Sequence, residues 1–320
     1  MMKKTENIIV RNWIAYWSTK QHSYIKDSTY ATYMNIISNH ILPYFGDMNL
    51  QDISYNRNQE FIWHLSKYGR LDKTGGLSTK TIKDILVLWL SILNDAEKEI
   101  NITAPVGKYK YPISQQEEKS KFLSIHQERQ IVSLIKENMN TRNVGILLAL
   151  STGMRIGELC ALQWGAINMD VGTIYISKTL QRIYLKDGDC GTSKVIITTP
   201  KSKKSMRIIP ISQKMIVLLK SLQKSNETYF LTGRENKYME PRVYREYYNR
   251  LMDKNDMHYV SFHGLRHTFA TRCVEAGCDY KTLSEILGHA DVSTTMRLYV
   301  HSDMNKKRKY MEKMQALNDL

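Results

Sequence analysis

The chain has 320 residues, of which 42% are hydrophobic, and this is enough for two domains that each bury a core. The 46 lysines and arginines exceed the 31 aspartates and glutamates and give a net charge of +15. No segment is long and apolar enough to span a bilayer, and residues 1–6 lack the apolar core of a signal peptide, so we expect a cytoplasmic protein with no membrane partner.

The positive charge is concentrated in the second part of the chain. Residues 1–112 contain 14 basic and 10 acidic side chains, whereas residues 113–320 contain 32 and 21. Such an excess favours a polyanionic partner, with nucleic acid first and an acidic membrane surface second. A basic protein without such a partner would have the same charge.

The cysteines indicate neither a disulfide framework nor a zinc site. Cys160, Cys190, Cys273 and Cys278 form no C-x-x-C pair and have no zinc spacing. We therefore expect buried free thiols in a reducing compartment.

The first hundred residues predict a compact domain of four helices. Apolar residues recur at helical spacing in residues 7–20 and 29–41, in a segment that begins at Asn56 or Asn58, and in residues 79–97, which Ser78 precedes as an N-cap. Tyrosines and lysines are mixed along these helices. Such a surface suits contact with a sugar-phosphate backbone, although solvated helix faces have the same composition.

Residues 105–121 predict an exposed linker. The segment contains Pro105, Gly107 and Pro112 and ends in the polar, charged residues 114–121. We therefore place the helical domain in residues 1–104 and begin the second domain at residue 122.

The second domain begins with helices and continues with strands. Ser124 and Gln127 have the pattern of a capping box, residues 143–150 form an apolar helix that ends at Gly153, and a short helix covers residues 155–162. Alternation with period two then predicts four strands, which we place in one small antiparallel sheet. They are residues 173–176, 179–184, 195–199 and 206–211.

Helices return after the strands, in residues 214–222, 241–251, 263–277, 280–287, 293–300 and 303–317. The predicted fold is mainly α with a small antiparallel β-sheet. A helical domain occupies residues 1–104, an α+β domain occupies residues 122–302, and residues 303–320 form a basic tail helix.

Cationic side chains stand at predicted helix ends in the second domain. His263 and Arg266 share the first turn of one predicted helix, where the positive end of the helix dipole favours an anion. Arg155 follows an apolar helix, so its guanidinium must point into a cleft or the solvent, and Glu158 can hold it by an i,i+3 contact. Arginine can bind two phosphate oxygens at once. A helix cap and an ordinary surface ion pair are the alternatives.

No cluster of carboxylates of the kind that holds paired Mg²⁺ ions is present in the sequence, which favours a metal-free reaction. His263 and His267 have the spacing of a helical metal pair, but no further ligand is positioned nearby. We therefore predict no metal site.

Five motifs, taken together, resemble the tyrosine recombinase, or phage integrase, family. They are Met154-Arg155-Ile156-Gly157-Glu158-Leu159, Pro200-Lys201-Ser202, His263-Gly264-Leu265-Arg266-His267, Leu287-Gly288-His289 and Tyr299. Tyr299 is one of 20 tyrosines and Lys201 lies at a predicted strand turn, so neither is informative alone. In this order and spacing, over residues 123–302, the five motifs are specific.

The resemblance implies covalent chemistry at a phosphodiester. Tyr299 would attack the scissile phosphate and form a 3′-phosphotyrosyl link. Arg155 and Arg266 would hold the non-bridging oxygens, helped by His289. The link conserves the ester energy, so the family needs neither ATP nor a metal, and no cofactor is expected.

The resemblance also implies the proton transfers. Lys201 would protonate the departing 5′-oxygen, and His263 would take part in proton transfer with the tyrosine. Glu158 would hold Arg155 in position without contacting the phosphate itself.

In its architecture the resemblance implies a SAM-like core-binding domain and a catalytic domain that close around double-stranded DNA. Members of the family act as a homotetramer on two DNA sites, and an accessory directionality factor is a further candidate partner. The tail helix of one subunit commonly docks on a neighbour, for which residues 303–317 are a candidate, although the basic run 306–309 is equally typical of a solvated face.

We therefore expect a site-specific DNA recombinase, the integrase of a mobile element. A type IB topoisomerase-like nicking enzyme is one alternative, which would relax supercoils without needing two specific sites. A DNA-binding protein with a disused catalytic domain is another, and the detection of a protein–DNA adduct would exclude it.

Overall fold

The computed structural model describes residues 8–113, 122–187, 190–198, 206–257, 260–289 and 291–299, with residues 308, 311, 312, 314 and 315. For residues 185–187, 190–192 and 297–299 it describes the secondary structure and not the side chains. Lys201 and most of the predicted tail helix therefore lie outside the described residues. The chain divides into two compact units, residues 1–117 with 183–194 and residues 118–182 with 195–320.

Residues 1–117 of the first unit contain its helices, and residues 183–187 and 190–194 are parts of two strands. The helices are α1 (Val10–His22), α2 (Asp27–Ile36), α3 (Leu42–Phe45), α4 (Tyr55–Tyr68) and α5 (Thr79–Ile100). The segment predicted as one helix over residues 29–41 consists of α2 and a π-helical turn, Ile37–Ile41. A pattern of apolar residues marks the buried side of such a segment but does not distinguish the two hydrogen-bond patterns.

Trp89 of α5 lies in the core of the first unit. Its ring stacks on Phe45 with 4.6 Å between centroids, and its Nε1 donates to Oδ1 of the buried Asn58 at 2.9 Å. Asn58, predicted as a helix start, is an interior residue of α4, which begins earlier because the Ser54 hydroxyl accepts from the Arg57 amide. Asn58 is therefore a buried polar side chain with hydrogen-bond partners and not the start of the helix.

The helices of the second unit begin with α6 (Ile125–Glu137), α7 (Thr141–Thr152) and α8 (Ile156–Cys160). After the strands come α9 (Gln213–Lys220), α10 (Pro241–Asp253), α11 (Phe262–Glu275), α12 (Tyr280–Leu287) and α13 (Val292–Tyr299). In the described part of the chain, no helix is both long enough and apolar enough to cross a membrane.

Two predictions about helix ends in this unit are confirmed. Ser124 and Gln127 form a capping box, in which the Gln127 amide donates to the Ser124 hydroxyl and the Ser124 amide donates to Gln127 Oε1. Gly153 ends α7 with a φ of +64°, the left-handed conformation that favours glycine. Both signals are local in sequence, because the interacting groups lie within one turn of each other.

The predicted fold, mainly α with a small antiparallel β part, is confirmed, but the strands form two sheets and not the single sheet predicted. The strands are β1 (Ile167–Asn168), β2 (Thr173–Ile176), β3 (Thr179–Asp187), β4 (Cys190–Thr198) and β5 (Arg207–Pro210). β2 lies between β1 and β5 in one antiparallel sheet, and β3 pairs with β4 in the other. Alternation identifies a strand, but the partner depends on which faces meet the core.

Strand β5 turns alternate side chains toward the core. Ile209 is buried opposite the buried Ile174, and Arg207 is buried opposite Ile176, whereas Ile208 is exposed. The period of the strand therefore places a guanidinium on the inner face of the sheet.

The thiols are less uniformly buried than predicted. Cys160 is free and buried, and burial raises its pKa, whereas Cys273 and Cys278 are free and only partly buried. The side chain of Cys190 is outside the described residues. The prediction of buried thiols is confirmed for Cys160 alone among them.

Gly153→Ala should destabilise the second unit by about 3 kcal/mol, from left-handed strain and overpacking together. A Cβ at Gly153 would lie 2.6 Å from Cδ1 of Phe269 and 2.8 Å from Cδ2 of Leu287. Gly277 is the matched control, because its φ is +89° and a Cβ there would meet nothing within 4 Å. Urea unfolding should give about 1 kcal/mol for Gly277→Ala. Equal losses would show that the side-chain collision is absent.

Candidate active site

Three arginines meet at the carboxyl end of α12, where the last carbonyls lack partners within the helix. Arg207 Nε donates to the Ile286 carbonyl at 2.6 Å. The Leu287 carbonyl accepts from Arg155 Nη1 at 3.3 Å and from Arg266 Nη2 at 2.7 Å. The Gly288 carbonyl accepts from Arg155 Nη2 at 3.2 Å. The negative end of the helix dipole further favours cations at this position. One helix end thus gathers guanidiniums from three separate segments.

Arg266 is held most deeply of the three. Its residue is 3% exposed, and its Nη1 also donates to the Gly153 carbonyl at 2.7 Å, at the end of α7. The prediction that it shares the first turn of its helix with His263 was wrong, because α11 begins at Phe262 and Arg266 lies in the second turn. Its guanidinium is positioned by the ends of α7 and α12 and not by the start of its own helix.

Arg155 combines anchoring with access to the surface. It precedes α8, and its Nη1 donates to Oε1 of Glu158 at 2.8 Å, the i,i+3 contact expected from the sequence. Its side chain is 37% exposed. A ligand can therefore reach this guanidinium, whereas that of Arg266 is almost enclosed.

Glu158 is a buried carboxylate between two arginines. Arg207 Nη1 and Nη2 donate to its Oε1 and Oε2, both at 2.9 Å, and Arg155 also donates its backbone amide to Oε2 at 2.9 Å. Burial alone would raise the pKa of Glu158, but the hydrogen bonds and charge of Arg207 and the charge of Arg155 outweigh it and lower the pKa to about 2. Glu158 is therefore ionised at neutral pH.

Arg207 was missed by the sequence motifs. A signal was present, because residue 207 has the same parity as Ile209 in the predicted strand 206–211 and so faces inward with it. A buried guanidinium needs hydrogen-bond acceptors, and Glu158 supplies a charged one to Arg207. The identity of that partner could not be read from the sequence.

His289 follows α12 and contacts the helix after it. Its Nδ1 lies 2.8 Å from Oγ1 of the buried Thr295 in α13. Burial first, and then the charges of Arg266, Arg155 and Arg207, lower its pKa to about 4. His289 is therefore neutral at pH 7, with its Nε2 left for another partner.

His263 lies at the start of α11 beside the arginines. Desolvation first, and then electrostatic interactions with His267, Arg266 and Arg155, lower its pKa to about 4. Its ring is perpendicular to that of His267, with centroids 4.8 Å apart. Within the described ranges no three His, Cys, Asp or Glu side chains are grouped as metal ligands.

The structure therefore brings five of the seven predicted site residues into one neighbourhood: Arg155, Glu158, His263, Arg266 and His289. Tyr299 is the last residue of α13, four positions after Thr295, and its side chain is not among those described. Lys201 lies outside the described residues, six positions before Arg207 in the sequence.

Acid should destabilise the second unit, beginning below pH 6.5. The pKa values of His263 and His289 are near 4 in the folded chain and about 6.5 when unfolded, so the unfolded state binds more protons as the pH falls. The pKa of Glu158 is about 2 in the folded chain, so this carboxylate adds to the loss of stability as the pH falls below its unfolded pKa. NMR titration should give histidine midpoints near 4, assigned with His263→Gln and His289→Gln. Midpoints near 6.5 would contradict the electrostatic account.

Family models match both parts of the chain. The model of the phage integrase family matches residues 121–306, and that of the phage integrase N-terminal SAM-like domain matches residues 10–66. The first match contains all five motifs.

Curated relatives are similar over different lengths. The chain is 28% identical over 306 residues to the ICEBs1 integrase of Bacillus subtilis (strain 168), covering 91% of this chain and 78% of the relative. It is 26% identical over 216 residues to the transposase from transposon Tn916 of Enterococcus faecalis, covering 61% of this chain and 51% of the relative. It thus spans about half of the second relative.

Solved structures share the fold. The Tn1549 transposon integrase in complex with a circular intermediate DNA superposes with a TM-score of 0.76 at 20% identity, covering 96% of this chain and 99% of that one. A lambda integrase tetramer bound to a Holliday junction gives a TM-score of 0.65 at 18% identity, covering 92% of this chain and 78% of that one.

Proposed function

The chain belongs to the phage integrase family and is a site-specific DNA recombinase of that family, and we propose that it cuts and rejoins DNA through a 3′-phosphotyrosyl intermediate on Tyr299. Its role is the integration and excision of a mobile element. The observation that carries the chemical proposal is the convergence of Arg155, Arg266 and His289 at the end of α12.

In the cleavage step the phenolic oxygen of Tyr299 forms a bond to phosphorus, and the bond from phosphorus to the 5′-oxygen breaks. The phenol proton passes to His263, and Lys201 supplies a proton to the departing 5′-oxygen. One phosphodiester replaces another, so the reverse attack by a 5′-hydroxyl rejoins DNA without ATP. The roles of Tyr299 and Lys201 rest on their motif positions.

Charge at the cluster supports stabilisation of the transition state. Arg155, Arg207 and Arg266 carry three positive charges against the single carboxylate of Glu158, so an excess of positive charge faces an incoming phosphate. A phosphodiester gains negative charge on its non-bridging oxygens as the nucleophile attacks. Guanidiniums already fixed by helix carbonyls need little reorganisation to stabilise that charge.

The protonation states of the histidines are compatible with their proposed roles. His263 is neutral at pH 7 and so has a free lone pair for the phenol proton, and the negative charge of a bound phosphate would raise its pKa from near 4 toward the range in which a general base is effective. His289 can donate a hydrogen bond from Nε2 when Thr295 donates its hydroxyl to Nδ1, which is the tautomer we assign.

The two domains have separate roles in this proposal. The helical domain, residues 1–104, binds double-stranded DNA beside the cleavage site, and the catalytic domain, residues 122–302, contains the reacting groups. Four subunits act on two DNA sites in the cytoplasm, and an accessory directionality factor is a further candidate partner. The lambda integrase tetramer on a Holliday junction provides the precedent for four subunits.

The test uses the purified chain and DNA from the genomic flanks of its own element. A protein–DNA adduct that survives denaturant, with its junction mapped to one phosphate in each strand, is the expected result. Relaxation of supercoiled DNA that lacks those flanks, at the same rate, would favour the topoisomerase-like alternative. Absence of any adduct on all flanking DNA would overturn the proposal.

A further inference from the structure

We infer that Arg207 is a positioning residue for strand cleavage, which acts on the scissile phosphate through Glu158 and Arg155. The inference rests on the proposed function and concerns a side chain outside the five motifs. Arg207 lies on the inner face of β5, with its side chain 5% exposed, and each of its three guanidinium nitrogens donates to Glu158 or to the Ile286 carbonyl.

The contacts around Glu158 fix its orientation. Each carboxylate oxygen accepts two hydrogen bonds, Oε1 from Nη1 of Arg155 and Nη1 of Arg207, and Oε2 from the Arg155 amide and Nη2 of Arg207. The Glu158 side chain is 2% exposed. A carboxylate held on both oxygens by one planar guanidinium cannot rotate without breaking two bonds.

Arg207 also determines how much of the charge of Arg155 is available to DNA. Glu158 is a single negative charge, and Arg207 holds it with two hydrogen bonds, whereas Arg155 contributes one from its side chain. Without Arg207, Glu158 would be a buried charge with Arg155 as its remaining side-chain partner. The attraction would draw Arg155 inward into a two-bond pair and neutralise the guanidinium meant for the phosphate.

A second contact connects Arg207 to the segment that contains His289. Its Nε donates to the Ile286 carbonyl at 2.6 Å, and a Cβ placed on Gly288 would lie 3.0 Å from Cδ and Nη1 of Arg207. The stem of Arg207 therefore packs directly against the residue before His289. The Arg207 side chain thus positions Arg155 through Glu158 and also contacts the end of α12 directly.

The experiment compares Arg207→Met and Arg207→Lys with the wild type on two DNA substrates. One has an ordinary scissile phosphate, and the other has a neutral methylphosphonate at the same position. On ordinary DNA, Arg207→Met should form the adduct about 10²–10³-fold more slowly, the range for loss of one oxyanion contact. On methylphosphonate DNA the deficit relative to the wild type should fall below about tenfold, because less charge needs stabilising. An equal deficit on both substrates would show a merely structural role and overturn the inference.

Arg207→Lys keeps the positive charge but loses the planar, two-bond geometry of the guanidinium, so it should form the adduct at least about tenfold faster than Arg207→Met. It also replaces Arg207→Met in the test if that variant folds poorly. Adding Arg207→Met to Arg155→Lys should slow the adduct little further, because the two residues act in series. Fully multiplicative losses would overturn the inference.

A crystal structure of the variant provides a readout that does not depend on activity. In Arg207→Met the Arg155 guanidinium should form both bonds to Glu158 and leave the Gly288 carbonyl, and in Arg207→Lys, which keeps a positive charge beside Glu158, it should move less. An unmoved Arg155 would overturn the inference even if the wild type forms its adduct normally. If Arg155 is displaced in the variant and the wild type forms no adduct, the result would contradict the proposed function and not the positioning by Arg207.

Discussion

Replacing Tyr299 by phenylalanine is expected to abolish the covalent protein–DNA adduct and leave DNA affinity within about twofold of the wild type. The substitution removes one oxygen, which we propose as the nucleophile, and keeps the aromatic ring. Phosphodiester cleavage without a catalyst is among the slowest reactions known, so the loss of rate should exceed about 10⁴-fold. The adduct is measured on denaturing gels with end-labelled DNA.

The control for this variant is another tyrosine of the same unit. Tyr175 is 48% exposed on β2 and lies outside the proposed site, so Tyr175→Phe should form the adduct at the wild-type rate. An adduct that persists in Tyr299→Phe would show that a different residue attacks phosphorus. Loss of the adduct in both variants would show that the assay reports something other than the nucleophile.

Arg155→Ala is expected to slow adduct formation by about 10³-fold or more, with a smaller effect on DNA affinity. Arg155 is the most exposed of the three clustered guanidiniums, and its carbonyl contacts at 3.3 and 3.2 Å hold it without enclosing it. Arg155→Lys should recover part of the rate, because it keeps the charge but cannot contact two oxygens in one plane. Single-turnover rates with saturating protein separate the chemical step from binding.

Loss of charge alone is controlled by Arg129→Ala. Arg129 is exposed on α6, and its removal changes the net charge of the chain by the same amount as Arg155→Ala. We expect less than about a threefold change in the single-turnover rate for this control. A comparable loss in both variants would mean that the general field of the protein, and not a specific clamp, governs cleavage.

Local signals in the sequence predicted the helices well. The capping box at Ser124 and Gln127 and the left-handed Gly153 depend on groups within one turn, so both could be read from neighbouring residues. Of the two starts predicted for α4, Asn56 is one residue after the observed first residue, whereas Asn58 faces the core and hydrogen-bonds to Trp89, which is distant in sequence.

Long-range pairing explains what the sequence did not predict. The strands were located, but their division into two sheets depends on contacts between β2 and β5, which are separated by the whole β3–β4 pair. Arg207 was overlooked for the same reason, because its partners Glu158 and Ile286 come from distant segments. The motif residues could be proposed from the sequence because a family resemblance carries such long-range information implicitly.

Three consecutive carbonyls, those of Ile286, Leu287 and Gly288, tie three guanidiniums to a single helix end. A shift of α12 by little more than about one ångström would stretch these bonds beyond hydrogen-bonding range together. The positions of the three guanidiniums therefore depend together on the position of one helix end.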